Sequence, residues 1–483
     1  MSRNSWYACL FVLIPSLYFM SLPSSVGDLA IWVSQGLYFI KTGQILRHDI
    51  FTIIPTEELI YPALTCIIYG GLHKLGGLDA VVLFHRLLII LIGVFWLKKY
   101  ITKTKNVWSL YNIYLFFLAW LGCSILFLER PALVAIVPFI LGFDIIESKT
   151  KLNAWDLLKL SIINIFWVNI HGSWLLLFCM FFYKQSLISV QQKNISKNFI
   201  LGCVLLITSS FVNPFGAKVF EYVLQTVKIS QSRQITEWSS TFNSIYKDQL
   251  VVFILLLMTL IYAVVSKNRK NLKKWFLLLR SPMMFLILIS LISIRHTIWP
   301  FFSLIAFLKY KNLFKSFELG QSNNPQNRLI AASNLIVVCV LIIANILLMP
   351  NYKSYVLAYL PISKQKIYDD SAPVEFAKYL SNTNDQEPVF NDWDYGSYLS
   401  LSQNHKYFID TRNIIFNEYY FGEYVKIINA EDGYLNKLEH YKIKYIILDK
   451  TLRQKLIASL NQNKSWKIVQ ESNQTILYEK INL

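Results

Sequence analysis

Charged residues are scarce in this chain, and acidic residues are scarcer than basic ones. Asp, Glu, Lys and Arg together make up 16% of the 483 residues, whereas 54% are hydrophobic. A soluble domain carries about a quarter charged residues, so this composition predicts a polytopic membrane protein. The 47 basic residues outnumber the 29 acidic ones and give a net charge of +18, but they lie in short runs between apolar segments. That pattern is typical of cytoplasmic loops beside anionic lipid and argues against a nucleic-acid partner.

The chain also lacks the cysteine spacing of a zinc site or of a disulfide framework. All six cysteines lie in or beside apolar stretches, namely Cys9, Cys66, Cys123, Cys179, Cys203 and Cys339. The polar C-terminal part has no cysteine, no glycine-rich phosphate loop, no Gly-x-Ser-x-Gly elbow and no His-Glu-x-x-His motif. It therefore carries no catalytic signature of its own, and the residues predict no metal site.

Long apolar runs are abundant, and they set the predicted topology. Runs that are long enough or nearly long enough to cross a bilayer lie near residues 6–23, 79–97, 107–128, 132–147, 155–170, 172–184, 199–216, 248–266, 275–293, 297–309 and 329–349. The first run is interpreted as a retained span and not as a cleaved signal peptide. The run 61–72 is ambiguous, and we interpret it as an interfacial helix on the outer face.

The basic loops then decide the orientation. Lysine and arginine residues cluster near 98–105, 149–151, 184–197, 267–274 and 309–315. The positive-inside rule assigns these loops to the cytoplasm, which gives about 11 transmembrane helices and a cytoplasmic N-terminus. The predicted domains are a transmembrane domain at 1–350, with a first external loop at 24–78, and an external α/β domain at 351–483.

Short apolar runs alternate with helical segments in the C-terminal part, and this alternation predicts a small α/β domain with a largely parallel sheet. The predicted elements are a helix at Pro373–Leu380, strands at Pro388–Asn391, Lys406–Asp410 and Lys442–Asp449, a helix through Leu460, and strands at Trp466–Gln470 and Thr475–Lys480. Gly396, Asp410 and Arg412 are compatible with a ligand site, but a turn and an ion pair are the favoured interpretation.

This topology collects the unusual polar residues on the outer face. They are Asp28, Asp49, Glu129, Arg130, His171, Asn213, Arg233, Glu237, Arg295 and His296. Ionisable residues at membrane depth are costly and usually face a cavity or a partner. Their convergence on one face therefore predicts a functional site there.

The order of short motifs along the chain resembles the GT-C glycosyltransferase superfamily. The motifs are Gly27-Asp28-x-x-x-Trp32, Thr42-Gly43, Asp49-x-Phe51-Thr52, Leu75-Gly76-Gly77-Leu78, Glu129-Arg130-Pro131, Trp167-Val168-Asn169-x-His171-Gly172, Val212-Asn213-Pro214-Phe215-Gly216, Glu237-Trp238 and Arg295-His296. They are similar to those of bacterial relatives of the protein mannosyltransferases and of the lipid A aminoarabinose transferase. The segments 390–399 and 408–412 fit the C-terminal periplasmic domain of one branch. The resemblance covers nearly the whole chain, but no His follows Asp28 closely and Phe51-Thr52 replaces the more usual Phe-Ser.

The resemblance implies an inverting glycosyltransferase in the bacterial inner membrane, with its C-terminal domain in the periplasm. A polyprenyl-phosphate sugar would be the donor, and a glycan, lipid or protein would be the acceptor. An acidic residue of the first external loop would be the catalytic base. A divalent cation is left open as a cofactor.

Sugar transfer from a lipid phosphate needs a base at the acceptor hydroxyl and cationic groups at the departing phosphate. Asp28 or Asp49 is the predicted base, and Arg130, Arg295 and His296 are the predicted phosphate ligands because Arg pairs with phosphate through two parallel hydrogen bonds. Further substrate contacts are predicted for Trp32, His171, Asn213 and Glu237. A core hydrogen bond for His171 and simple snorkelling for Arg130 remain open alternatives.

Two other functions stay open from the sequence alone. One is a lipid-linked sugar transporter or flippase, although no inverted repeat with broken spans is visible. The other is a non-catalytic or polymerase-type component of envelope polysaccharide synthesis, although its main acidic or arginine-rich loop would be expected late in the chain.

Overall fold

The computed structural model describes most of the chain. The described residues are 28–54, 60–96, 115, 118–120, 122–123, 129–233, 235–242, 247–268, 279–310, 373–383, 385–402 and 404–481. The predicted spans 6–23 and 329–349 lie outside them, as does most of 107–128.

Helices fill the described part of residues 28–310. They are α1 (Leu29–Thr42), α2 (Ala63–Trp96), α3 (Ile136–Ser148), α4 (Ala154–Val168), α5 (Leu175–Gln192), α6 (Lys197–Ser209), α7 (Lys218–Ser232), α8 (Lys247–Asn268), α9 (Pro282–Ile292) and α10 (Ile298–Tyr310). A one-turn helix, Pro131–Val134, leads into α3. Helix α7 lies between the predicted spans 199–216 and 248–266, in a segment that the sequence predicts to be external.

Several of these helices have the length and composition of membrane spans. Among the described residues, Ala63–Trp96, Pro131–Ser148 and Gly172–Gln192 are long and apolar enough to cross a bilayer. Shorter apolar helices cover Lys197–Ser209, Gln249–Ile261, Pro282–Ile292 and Ile294–Leu308. The helices agree with the predicted runs in these regions, and the total of about 11 spans stays a prediction.

Local sequence signals explain where the helices start and stop. Helix α4 starts at a capping box, in which the Asn153 side chain accepts from the Asp156 backbone while the Asp156 side chain accepts from the Asn153 backbone. Ser281 caps α9, and Pro282 occupies its first position. Helix α1 ends at Gly43, whose φ of 70° is the left-handed conformation that glycine adopts without strain.

Helices α1 and α2 cross at two glycines, and no side chain separates their backbones there. A Cβ on Gly36 would lie 1.8 Å from the Cys66 carbonyl oxygen, and one on Gly70 would lie 2.4 Å from the Gly36 carbonyl carbon. This crossing fixes α1 against the first half of α2.

Helix α2 is broken at the predicted Leu-Gly-Gly-Leu motif. Gly76 and Gly77 have non-helical backbone angles, with φ of −160° and 68°. The segment before the break has about 13 residues, which at 1.5 Å per residue gives about 20 Å and is too short to cross a bilayer. That length is compatible with the interfacial helix predicted for 61–72.

The predicted outer and inner residues separate to opposite ends of the helical bundle. At one end, Arg47 donates to the Pro214 carbonyl (2.8 Å) and Thr65 donates to the Ile170 carbonyl (3.0 Å). At the other end, Lys184 donates to the Ile146 and Lys149 carbonyls at 2.5 and 2.9 Å. These contacts join loops that the sequence assigns to the same side, and the sidedness itself stays a prediction.

The C-terminal residues form a four-stranded sheet with helices around it. The helices are α11 (Val374–Ser381), α12 (Glu418–Ile428), α13 (Tyr434–His440) and α14 (Gln454–Gln462), and the strands are β1 (Val389–Asn391), β2 (Tyr445–Asp449), β3 (Trp466–Glu471) and β4 (Thr475–Lys480). We call residues 373–481 the C-terminal unit. The strand order is β1-β2-β4-β3.

The prediction of a largely parallel sheet is wrong. Among the strands that the structure describes, β1 and β2 pair in parallel, while β2–β4 and β3–β4 are antiparallel. Only three residues join β3 to β4, and so short a link permits an antiparallel hairpin but no crossover. The predicted strand Lys406–Asp410 is reduced to isolated bridges at Tyr407, which pairs with Val389 and with Thr52.

The C-terminal unit packs directly on the first predicted external loop. Tyr407 exchanges backbone hydrogen bonds with Phe51 and Ile53, each 3.0 Å long. Ser34 of α1 and Ser400 lie 2.7 Å apart, hydroxyl to hydroxyl. These contacts hold the start of α1 next to the one-turn helix Gly396–Leu399.

Candidate active site

Four charged side chains form one continuous chain of ion pairs at the Pro131 end of the bundle. The Arg130 Nε atom lies 3.6 Å from Asp28 Oδ2, and the Arg130 Nη1 atom donates to Glu237 Oε1 at 2.6 Å. The second Glu237 oxygen, Oε2, lies 3.4 Å from Nη1 of Arg295. All four residues were singled out from the sequence, and we call them the Asp28 cluster.

Each member of the Asp28 cluster stands at the end of a helix or in a tight turn. Asp28 precedes the first residue of α1, and Arg130 precedes Pro131 at the first position of its one-turn helix. Glu237 lies in the 3₁₀ turn Thr236–Trp238, and Arg295 lies in the 3₁₀ turn Ile294–His296. Helix ends and tight turns from distant parts of the chain thus bring the four side chains together.

The two 3₁₀ turns are tied to each other. The Ser293 hydroxyl donates to the Glu237 carbonyl at 3.3 Å, and the Ile294 backbone donates to the Ser239 carbonyl at 3.0 Å. The Arg295 guanidinium lies 5.1 Å from the Trp238 ring centroid, within cation–π range. The backbone positions of Glu237 and Arg295 are therefore fixed together.

The Asp28 cluster is open to solvent but lies in a charged surrounding. Its side chains are between 23% and 34% exposed. The Asp28 carboxylate, followed by Glu237, holds the pKa of Arg130 above its usual range. Burial alone would raise the pKa of Glu237, but Arg130 and Arg295 together hold it below the ordinary value. The pKa shifts of Arg130 and Glu237 thus both favour the charged form of the side chain.

The predicted histidines lie beside the cluster. His171 accepts from the Ser173 backbone at 3.2 Å, and burial, followed by the charge of Arg295, lowers its pKa to about 3. His171 is therefore neutral near pH 7. His296 packs edge-on against Trp238, with ring centroids 5.9 Å apart. Its buried Nδ1 atom and the Nε1 atom of Trp32 have no hydrogen-bond partner among the described residues.

Asp49 is not brought into the Asp28 cluster. Its carboxylate lies 2.9 Å from Arg412 Nη1, and Arg412 Nη2 lies 2.5 Å from Asp410 Oδ2. The Thr52 hydroxyl donates to Asp49 at 2.5 Å. Burial alone would raise the pKa of Asp49, but Arg412 and then Thr52 hold it below the ordinary value. Asp410 and Arg412 thus form the ion pair favoured from the sequence, and we call Asp49, Asp410 and Arg412 the Arg412 triad.

Asn213 is occupied by its own turn. Its Nδ2 atom donates to the Ser210 and Gly216 carbonyls at 2.7 and 3.1 Å, and its Oδ1 atom accepts from the Phe215 backbone at 2.8 Å. These bonds shape the turn that leads into α7. They leave no described hydrogen bond between Asn213 and the cluster.

Two residues that were not selected from the sequence lie within electrostatic range of the cluster. Asp394 of the C-terminal unit has an exposed side chain. Its pKa is nevertheless raised, first by desolvation in the surrounding protein and then by the negative charges of Asp392 and Asp28. Burial raises the pKa of Tyr222 to about 12, while the charge of Arg295 lowers this pKa and the charge of Asp28 raises it. Asp394 lies two residues before the helix that packs on α1, so only the tertiary fold reveals its proximity to Asp28.

The described residues contain no group of three or more His, Cys, Asp or Glu side chains that could hold a metal ion. The Asp28 and Glu237 carboxylates are instead paired with guanidinium groups. This donor set does not fit a divalent cation without breaking those pairs.

Comparison with known structures identifies the fold. The archaeal oligosaccharyltransferase AglB from Archaeoglobus fulgidus, in complex with an inhibitory peptide and a dolichol-phosphate, is similar at 13% identity with a TM-score of 0.52, over 100% of this chain and 75% of that one. The apo form of the Archaeoglobus fulgidus oligosaccharyltransferase is similar at 12% identity with a TM-score of 0.55, over 99% of this chain and 74% of that one. ArnT from Cupriavidus metallidurans, bound to undecaprenyl phosphate, is similar at 13% identity with a TM-score of 0.52, over 99% of both chains.

Neither a protein-family model nor a curated protein matches the sequence. At 12–13% identity the structural matches show a shared fold. AglB and ArnT both have the GT-C fold, so the likeness predicted from the motif order is confirmed at the level of fold.

Proposed function

We propose that this protein is an inverting membrane glycosyltransferase. It moves a sugar from a polyprenyl-phosphate donor to an envelope glycan, lipid or protein acceptor. The observation that carries the proposal is the Asp28 cluster, which presents a carboxylate beside two guanidinium groups at a solvent-open end of a GT-C-type bundle. The two neighbours whose titles name a dolichol-phosphate and an undecaprenyl phosphate support the choice of donor class.

We assign the base to Asp28. Its side chain is 23% exposed, and its closest described cation, Arg130 Nε, is 3.6 Å away, so its second oxygen can accept the acceptor's proton. Deprotonation by a positioned carboxylate typically contributes 10²–10⁴-fold to the rate. Asp49 is a poor candidate because both its oxygens already accept hydrogen bonds, from Arg412 and Thr52, and its side chain is fully buried.

We assign the donor phosphate to Arg130 and Arg295. Negative charge develops on the phosphate as the sugar leaves, and preorganised guanidinium groups stabilise that charge without having to move. His296 has a buried, unpaired Nδ1 beside Trp238 and would contribute as a neutral hydrogen-bonding group. Trp32 stands one helical turn after Asp28, which puts both on one face of α1 and gives the sugar an aromatic surface.

The membrane face on which the reaction takes place follows from the predicted orientation of the helices. Arg130 precedes the one-turn helix that leads into α3, and Lys149 follows the last residue of α3, so the Asp28 cluster and Lys149 lie at opposite ends of this helix. With Lys149 in the cytoplasm, the reaction takes place on the periplasmic face of the bacterial inner membrane. The C-terminal unit is then a periplasmic domain.

The test is donor binding and transfer with purified protein. Labelled polyprenyl-phosphate sugars and crude envelope acceptors should give labelled product with inversion at the sugar. Arg295→Lys keeps the charge but loses the planar fork, so donor affinity should fall while thermal stability changes little. Arg233→Lys, at the Glu418 pair, is the comparison and should leave donor binding unchanged. Unchanged donor binding in both Arg295→Lys and Arg295→Ala would remove Arg295 from the phosphate site.

A further inference from the structure

The Glu237 carboxylate occupies the position between the two arginines. Oε1 accepts from Arg130 at 2.6 Å, and Oε2 lies 3.4 Å from Arg295. One carboxylate thus bridges both guanidinium groups, in the way that two oxygens of a phosphate would. The position assigned above to the donor phosphate is already filled by an anion that belongs to the chain.

The Glu237 backbone is anchored, but its side chain is not enclosed. Its carbonyl accepts from Ser293, and the neighbouring Ser239 carbonyl accepts from Ile294. The side chain is 34% exposed, and a glutamate has three rotatable bonds. The carboxylate can therefore leave the arginines by changing rotamer while the turn Thr236–Trp238 stays in place.

The charges of the cluster also favour a phosphate that replaces the Glu237 carboxylate over a phosphate that binds in addition to it. Asp28 and Glu237 balance Arg130 and Arg295, so the free cluster is neutral. A phosphodiester carries one negative charge, and adding it to the intact cluster would leave that charge uncompensated. If it replaces Glu237 at the arginines, the number of paired charges is conserved.

We propose that Glu237 is an internal stand-in for the donor phosphate. In the free protein it holds Arg130 and Arg295 together in the geometry that a phosphate needs, and the lipid-linked phosphate displaces it on binding. Glu237 thereby competes with the donor and sets its affinity. This inference rests on the proposed function, since it assumes that the anion bound at these arginines is the donor phosphate.

Equilibrium binding of a polyprenyl phosphate to the purified protein in detergent tests the inference, with the corresponding polyprenol as the phosphate-free probe. Glu237→Gln keeps the size of the side chain but removes the competing charge, so binding should tighten about tenfold because a charge-assisted hydrogen bond need no longer be broken. The gain should shrink as salt is added, since these groups are partly exposed. Glu418→Gln, which removes a carboxylate from the Arg233 pair, is the matched control and should bind like wild type.

The outcomes separate the inference from the proposed function. Equal or weaker binding by Glu237→Gln, with normal binding by wild type, overturns the stand-in role and assigns Glu237 to substrate contact or to structure. Glu237→Ala serves as a second variant if Glu237→Gln is unstable, with the same expected direction. Failure of wild type to prefer polyprenyl phosphate over polyprenol overturns the proposed donor, and the stand-in role with it.

Discussion

Arg412→Met should detach the C-terminal unit from the first external loop. The Arg412 side chain is only 5% exposed, and the Asp49 and Asp410 side chains are fully buried. Methionine has a similar length but no charge, so the substitution leaves two buried carboxylates facing each other. Breaking a buried pair by removing one partner costs about 3–5 kcal/mol. We expect about 3 kcal/mol, because Thr52 and Tyr407 still donate to the two carboxylates.

Thermal unfolding in detergent, combined with limited proteolysis of the C-terminal unit, measures this effect. For a unit of about 100 residues, each kcal/mol shifts the midpoint by about 4–8 °C, so the midpoint should fall by about 12 °C or more. Lys450→Met is the control, since Lys450 and Glu471 form an exposed pair worth at most about 1 kcal/mol. An Arg412→Met midpoint equal to that of Lys450→Met would refute the reasoning.

The pH dependence of the same variant has a defined sign. Arg412 holds the pKa of Asp49 below its ordinary value of 3.8, after the opposing effect of burial. A depressed carboxyl pKa stabilises the folded state above the unfolded pKa, and this contribution disappears as the pH falls through the folded pKa. In the variant, burial without Arg412 raises the pKa of the buried carboxyl above 3.8. The difference in stability between wild type and Arg412→Met should therefore be largest at neutral pH and narrow as the pH falls through the raised pKa of the variant.

Three further predictions concern packing, protonation and topology. Gly36→Ala should lower the free energy of unfolding by about 3 kcal/mol or more, because the new Cβ would meet the Cys66 backbone. Gly71→Ala is the control and should be neutral or slightly stabilising, because a Cβ there would have nothing within 4 Å. Equal thermal midpoints for the two variants would contradict the close crossing of α1 and α2. His171→Gln should leave the shape of the pH–activity profile between pH 5 and 8 unchanged, because the His171 pKa of about 3 keeps the imidazole neutral in that range. If wild type lost activity with a midpoint near pH 6 and the variant did not, His171 would titrate there and the prediction would be wrong. A reporter fused after Lys274 should be cytoplasmic and one after Asn351 periplasmic, and an external reading at Lys274 would reverse the orientation.

The helical part of the fold could be predicted from the sequence because apolar runs and basic loops follow directly from the cost of burying charge in lipid. Sidedness also brought Asp28, Arg130, Glu237 and Arg295 into one group before any distance was known. The sheet was harder to predict, because strand-length apolar runs carry no information on strand direction. The three-residue link between β3 and β4 was the available signal for an antiparallel pair.

The different surroundings of Asp28 and Asp49 could not be read from the sequence. Both carboxylates lie in the first predicted external loop, and only the folded chain pairs Asp49 with Arg412, 363 residues later. Asp394 was missed for the same kind of reason, since its proximity to Asp28 depends on how Gly396–Leu399 packs on α1. Contacts between distant segments depend on tertiary packing, which no local pattern encodes.

Sugar transfer by Asp28→Asn and Asp49→Asn, compared per amount of folded protein, tests the central claim most directly. The account predicts that Asp28→Asn loses about 10²–10⁴-fold in rate because the base is gone, while it inserts and folds like wild type. Asp49→Asn should be less stable but, where folded, should transfer at a rate near that of wild type. Wild-type rates in Asp28→Asn together with loss of transfer in folded Asp49→Asn would contradict the account, and activity in both variants would end the assignment of the base to this loop.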